Sequence, residues 1–117
     1  MAMGDRVRLL LAGDVMLGRG VDQVLPHPGD PVLFEVAARS ANDYVRLAER
    51  AHGAVPRPLA FADLWGDAPA ALARYPVDRR IVNLETAITH RGSPEPKGIN
   101  YRMSPDNLPA LTAFAVD

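Results

Sequence analysis

The chain has 117 residues, of which 48% are hydrophobic and 23% charged, and its net charge is -1. That length admits one domain at most, and the near-neutral balance gives no electrostatic footprint for nucleic acid or an anionic membrane surface. With no cysteine present, disulfides, thiolate metal sites and cysteine nucleophiles are excluded, so any metal site must draw on Asp, Glu, Asn or His.

Val7 to Ala12 reads as a strand buried on both faces, as in the centre of a parallel sheet. It runs into Gly13-Asp14, after which Gly18 and Gly20 allow a tight turn. Val21 to Leu25 suits a helical turn. Pro26, Pro28 and Pro31 make the next stretch a loop. Ser40 to Ala51 predicts a helix, with Ser40 and Asp43 as a capping box and Tyr44, Leu47, Ala48 and Ala51 as its apolar stripe. Gly53 supplies its stop. Phe61 to Tyr75 predicts a second helix on Leu64, Trp65, Ala68, Leu72 and Tyr75, with Gly66 and Pro69 marking where it would break into two pieces.

Arg80 to Leu84 is the second strand, ending on Glu85. Arg91 to Gly98 is a polar loop, and Ile99 to Met103 a short extended segment. Ser104-Pro105-Asp106 starts a helix, with a Ser cap, Pro at the first position and an acid in the first turn. Phe114 to Asp117 reads as the approach to a third strand. The expected class is α/β with a parallel sheet. Leu9 to Ala12 is far too short for a signal peptide or a transmembrane segment, so a cytoplasmic location is the default.

Asp14 and Glu85 each close an apolar run. If the two runs are neighbouring parallel strands, both acids stand at the carboxyl edge, where open α/β sheets place ligands and metals. Regular alternation groups Leu10, Ala12 and Asp14 on one side, and Ile81, Asn83 and Glu85 likewise. Two close carboxylates repel unless a proton or a cation intervenes, and a divalent ion there would polarise a substrate oxygen and activate water. Oxygen ligands suit magnesium or manganese; zinc or iron enter if histidines join. The structural alternative is that Asp14 caps a turn and Glu85 pairs with a nearby Arg.

Arg19 and Arg102 are candidate grips for carboxylate or phosphate. Lys97 is another, though a loop lysine is more often solvated surface charge. Asn100 and Tyr101 either orient substrate or satisfy loop backbone. His27, His52 and His90 read as surface residues, and Tyr44, Phe61 and Trp65 as core.

Gly13-Asp14-Val15-Met16-Leu17-Gly18-Arg19 closely resembles the opening motif of the CapA family, linked to capsule and poly-gamma-glutamate synthesis. Asn83-Leu84-Glu85-Thr86-Ala87-Ile88-Thr89 resembles that family's second motif, and Lys97 to Met103 followed by Ser104-Pro105 its next segment. The order and intervals fit over nearly the whole chain. The resemblance implies a layered α/β fold similar to calcineurin-type metallophosphoesterases. It assigns Asp14, Asn83 and Glu85 to divalent metal, of unknown identity among manganese, zinc, iron and magnesium. It implies an anionic substrate, poly-glutamate or phosphate-containing, near Arg19, Asn100, Tyr101 and Arg102, and membership of a capsule-synthesis complex. The activity implied is a phosphoesterase-like hydrolase or transferase; the alternatives are a non-catalytic anion-binding or assembly subunit, or an inactive fragment. The family continues with an Asn-Asn-His motif and later histidines, so residues 1–117 are expected to form the amino-terminal part of a larger domain.

Overall fold

The structure is a computed structural model that describes residues 6–117. Leu9–Val15 forms β1 and Arg79–Leu84 forms β2, and the two pair in parallel as the apolar runs predict. The strand begins two residues later than expected and extends through Asp14, because its ladder is set by β2. A short helix α1, Arg19–Val24, follows the Gly-rich turn. Glu85 continues the ladder from β2, its N–H donating to the Val15 carbonyl at 2.9 Å.

α2 spans Ala41–His52. Ser40 Oγ accepts from the Asn42 N–H at 3.3 Å, and Asp43 reaches back to the Ser40 N–H at 3.2 Å, so the capping box is present. Gly53 ends the helix at φ +89°, where a side chain would be strained, and its N–H reaches the Glu49 carbonyl. The apolar stripe is displaced from the expected one. Ala41 and Val45 are buried, whereas Leu47 is 52% exposed. The displacement follows from α1 packing against α2 near Gly20, where a methyl group would lie 3.2 Å from Tyr44 Cβ.

The expected helix over Phe61 to Tyr75 is two pieces, a 3₁₀ turn at Asp63–Trp65 and the helix α3 at Ala68–Ala73. Gly66 at φ +53° stops the first piece, and Pro69 sits in the first turn of the second, where its missing N–H costs nothing. After β2 come two strands of two residues each, β3 (Ala87–Ile88) and β4 (Arg102–Met103), paired in parallel. β4 lies in the segment expected to be extended; β3 carries no local signal of its own. Ser104 caps a 3₁₀ turn at Pro105–Asn107, accepting from the Asp106 N–H at 3.3 Å, and α4 (Pro109–Ala113) follows. Asp117 lies along β2, its N–H donating to the Arg80 carbonyl at 2.9 Å.

The core sits beside the two small sheets. Leu17, Leu25, Met103 and Ala110 form it, with Val15, Val21, Phe61, Leu64 and Leu111 packed around them. Leu25 and Met103 are fully buried, each stabilising the fold by about 1.5–3 kcal/mol relative to exposure. Trp65 stacks on Phe114 with ring centroids 4.2 Å apart, and its indole N–H donates to the Ala110 carbonyl at 2.8 Å.

Asp22 is buried at 3% exposure beneath this core. One carboxylate oxygen accepts from the Ser104 N–H at 2.9 Å and from Asn107 Nδ2 at 2.8 Å; the other accepts from the Gly29 N–H at 2.8 Å. Asn107, fully buried, also exchanges bonds with the backbone of His27. These contacts tie α1, the Pro-rich loop and the Ser104 turn together. No helix among the described residues is long and apolar enough to cross a membrane.

Candidate functional site

Asp14 and Asn83 are laterally paired, and Asn83 Nδ2 donates to Asp14 Oδ1 at 2.6 Å. Their meeting depends on an irregularity. The register steps from Leu11↔Ile81 to Asp14↔Asn83, so three steps along β1 match two along β2. One extra residue is bulged out at Ala12-Gly13, which re-aims the side chains beyond it. Regular alternation would have kept Asp14 with Leu10 and Ala12. The bulge instead places it on the face of Leu11, Ile81 and Asn83.

Glu85 lies one step beyond Leu84 and is half-buried. It lines a cleft of about 500 Å³ together with Thr86, Arg19, Asn100, Tyr101 and Arg102. The structure thus gathers the expected residues in two sets. Asp14 and Asn83 touch at the exposed end of β1 and β2. Glu85 shares the adjoining cleft with the four expected substrate residues. Among the described residues, no three or more His, Asp or Glu side chains cluster as a metal site. Every metal donor the motifs supply is an oxygen, and His90 is turned to Asp106, at 3.2 Å.

The cleft residues differ in how free they are. Arg19 Nη2 pairs with Glu35 and lies 2.6 Å from the Tyr44 hydroxyl, which itself donates to Glu35 at 2.6 Å. Its guanidinium carbon sits 4.3 Å from the Tyr44 ring centroid and 5.5 Å from that of Tyr101, within the range of a cation–π contact. Burial opposes the charge on Arg19, but the Glu35 bond and charge outweigh it and hold its pKa above the ordinary value. Burial also opposes the Glu35 carboxylate; bonds from Arg19 and Tyr44 outweigh that and hold its pKa below the ordinary value. The Tyr44 phenol is held high, first by its hydrogen bond to Glu35. Arg19 therefore spends its charge within the protein. It also carries a positive φ of 53°, unusual outside glycine, at the first position of α1.

Asn100 accepts from the Glu95 N–H at 3.0 Å and donates to the Glu95 carbonyl at 3.2 Å, so its amide closes a loop. Arg102 is half-buried and, among the described residues, makes no ion pair. Lys97 is exposed at the tip of the Asn100 loop.

Glu35 was not singled out by motif or spacing, and Gly18 was read only as a turn glycine within the opening motif. The signal for Glu35 was only that a half-buried Arg needs a counter-charge; nothing local points sixteen residues ahead. Gly18 joins the three motifs. A methyl group there would lie 2.7 Å from the Arg102 carbonyl oxygen and 3.0 Å from Thr86 Oγ1.

Residues 8–117 match the family model described as bacterial capsule synthesis protein PGA_cap. Two relatives from different strains of Mycobacterium tuberculosis, each described as a probable polyglutamine synthesis accessory protein, are 54% identical over 111 residues. The match covers 94% of this chain and 29% of each relative, so the chain spans under a third of their length. No solved structure matches. The resemblance carried by the three motifs is borne out: the chain belongs to the bacterial capsule synthesis protein PGA_cap family.

Proposed function

We propose that the chain carries the amino-terminal half of a divalent-metal site in a polyglutamate-synthesis protein of the capsule pathway, acting as a phosphoesterase-like hydrolase or transferase. The observation that carries this reading is the Asp14–Asn83 contact at the carboxyl ends of two parallel strands, with Glu85 just past the end of β2. The donor set fits a hard cation, because two carboxylates and an amide oxygen are available and no thiolate is. Asp14 and Glu85 would hold the ion, with Asn83 orienting Asp14 through its amide. When bound, the metal would supply Lewis acidity toward a phosphate or acyl oxygen. Arg102 would meet the negative charge of the substrate, while Tyr101, backed by Arg19, forms the wall beside it. The reading places the protein in the cytoplasm, within a capsule-synthesis complex.

Calorimetric titration with manganese or zinc tests it. Binding that is lost in the Asp14→Ala, Glu85→Ala double variant supports the assignment; unchanged affinity refutes it. A second reading is a non-catalytic anion-binding subunit, favoured by the word accessory in the relatives' description. It expects poly-glutamate binding that survives a chelator and weakens with salt and with Arg102→Ala.

A further inference from the structure

Glu35 is a buried carboxylate to which the proposed chemistry gives no part. It is carried by the loop from Pro31 to Ala41, which is pinched shut at its neck. The Ala41 N–H donates to the Pro31 carbonyl at 2.7 Å, the Leu33 N–H donates to the Arg39 carbonyl at 2.9 Å, and Val32 bridges Ser40. That closure delivers the Glu35 side chain, 4% exposed, onto the Arg19 guanidinium. The contact is internal to the fold, so it does not depend on what covers the outer surface.

Stability alone does not account for the pair, because taking two charges out of water costs about as much as their attraction returns. The bond is also a single one. Arg19 Nε and Glu35 Oε1 are both buried and, among the described residues, have no hydrogen-bond partner. A carboxylate placed to clamp a guanidinium would meet its fork with both oxygens. What Glu35 supplies is its charge. Arg19 also holds a φ of 53°, and strain of that kind persists where the surrounding contacts over-determine it. The guanidinium lies beside the rings of Tyr44 and Tyr101, 4.3 Å and 5.5 Å from their centroids, and it lines the cleft with Tyr101 and Arg102. The Arg19 side of the cleft is therefore neutral overall and aromatic, whereas Arg102 carries positive charge. We infer that Glu35 is a positioning residue of this cleft. It cancels the charge of Arg19 and holds it against Tyr101, so that an anionic substrate enters with its charge at Arg102 and its uncharged portion along Tyr101. This orientation rests on the cleft being the anion site proposed above.

Phosphate binding is compared in the full chain and in chelator, so that metal plays no part. Nuclear magnetic resonance titration with inorganic phosphate follows the Arg19 Nε–H and the Tyr101 amide. Glu35→Gln keeps the size of the side chain and one acceptor oxygen but leaves Arg19 uncompensated. It should bind phosphate at least about fivefold more tightly than the wild type, with a steeper loss on adding salt. Loss of packing alone would weaken binding, so the gain separates this role from a structural one. Combining Glu35→Gln with Arg19→Gln should return both quantities to the wild-type level. Equal affinity in the wild type and Glu35→Gln overturns the inference, and so does a gain that survives Arg19→Gln. If Glu35→Gln unfolds, phosphate should refold it, because a ligand of the native state stabilises that state; an unfolded variant indifferent to phosphate refutes the role. Failure of the underlying reading has its own mark. Arg102→Ala would then bind phosphate as the wild type does, which sinks the anion site and the orientation with it, whatever the Glu35 variants show.

Discussion

Asp22 provides the most direct test of how this fold is held. Its carboxylate accepts three N–H bonds, from Ser104, Asn107 and Gly29, and it is buried at 3% exposure. Asp22→Ala would remove all three acceptors at once. Asn107 Nδ2 retains the His27 carbonyl at 3.1 Å, so it is only partly orphaned. The Ser104 N–H, on a residue 1% exposed, has no other partner and no easy route to water. Hydrogen bonds to a charged acceptor contribute about 1.5–3 kcal/mol each, and a buried orphan donor costs about 1–3 kcal/mol. Allowing for water entering near Gly29, the loss should be ~3–5 kcal/mol. A chain of this length has roughly 6–17 kcal/mol in total. Trp65, the single tryptophan, stacks on Phe114 and bonds to Ala110, so its fluorescence reports docking of the carboxyl-terminal segment. With a urea slope of about 1.5 kcal/mol per molar, the midpoint should fall by ~2–3 M. Asp22→Asn keeps one acceptor oxygen but turns a donor toward Gly29, and should lose about half as much. A shift under ~0.5 M for Asp22→Ala would refute the view that this carboxylate ties α1 to the Ser104 turn.

Glu35 has a folded pKa below its ordinary 4.5, so its contribution is complete above that value and is lost as pH falls through the folded pKa. Thermal melts of the wild type should therefore fall as pH drops below about 4.5. Glu35→Gln should cost about 1.5–3 kcal/mol at neutral pH, by leaving the half-buried Arg19 without its counter-charge, and should flatten that acid limb. Gly18→Ala would press a methyl group against the Arg102 carbonyl oxygen; a loss of ~1–3 kcal/mol in urea denaturation is expected, and a neutral result would show that the three motifs are not packed together there.

What the sequence made legible was mostly local. The Ser40–Asp43 capping box and the Gly53 stop are decided within a few residues, and both appear as expected. So does the break at Gly66 and Pro69. β3 was not legible, because two residues carry no periodicity and Ala87–Ile88 is extended only through pairing with β4. The face of Asp14 was misread for a related reason. The period-two rule assumes an unbroken ladder, and the ladder here is set by β2. Gly13 was the available warning, since glycine inside a strand often marks a bulge. The role of Arg19 could not be read either. Its partners Glu35 and Tyr44 lie in separate segments, and only the packing of α1 on α2 brings all three together.

The two parts of the motif pattern call for different explanations. Gly18, Thr86 and Arg102 come from three distant segments and meet at one point, where the missing side chain of Gly18 lets the Arg102 backbone and the Thr86 hydroxyl approach. That approach follows from steric fit alone: any residue but glycine at position 18 would push β4 away, and Met103, fully buried beside Arg102, would leave the core with it. Asn100 is explained by the loop it closes and Arg19 by Glu35. The Asp14–Asn83 pair is different. It lies on an exposed face and is set in place by the bulge at Ala12-Gly13. Bulges persist where a side chain must be re-aimed. Here the re-aimed side chain is a carboxylate at the edge where parallel sheets bind ligands. Packing accounts for Gly18, Asn100 and Arg19, and it leaves Asp14, with Glu85 two residues past Asn83 on the neighbouring strand, as the acids on which the proposed metal site rests.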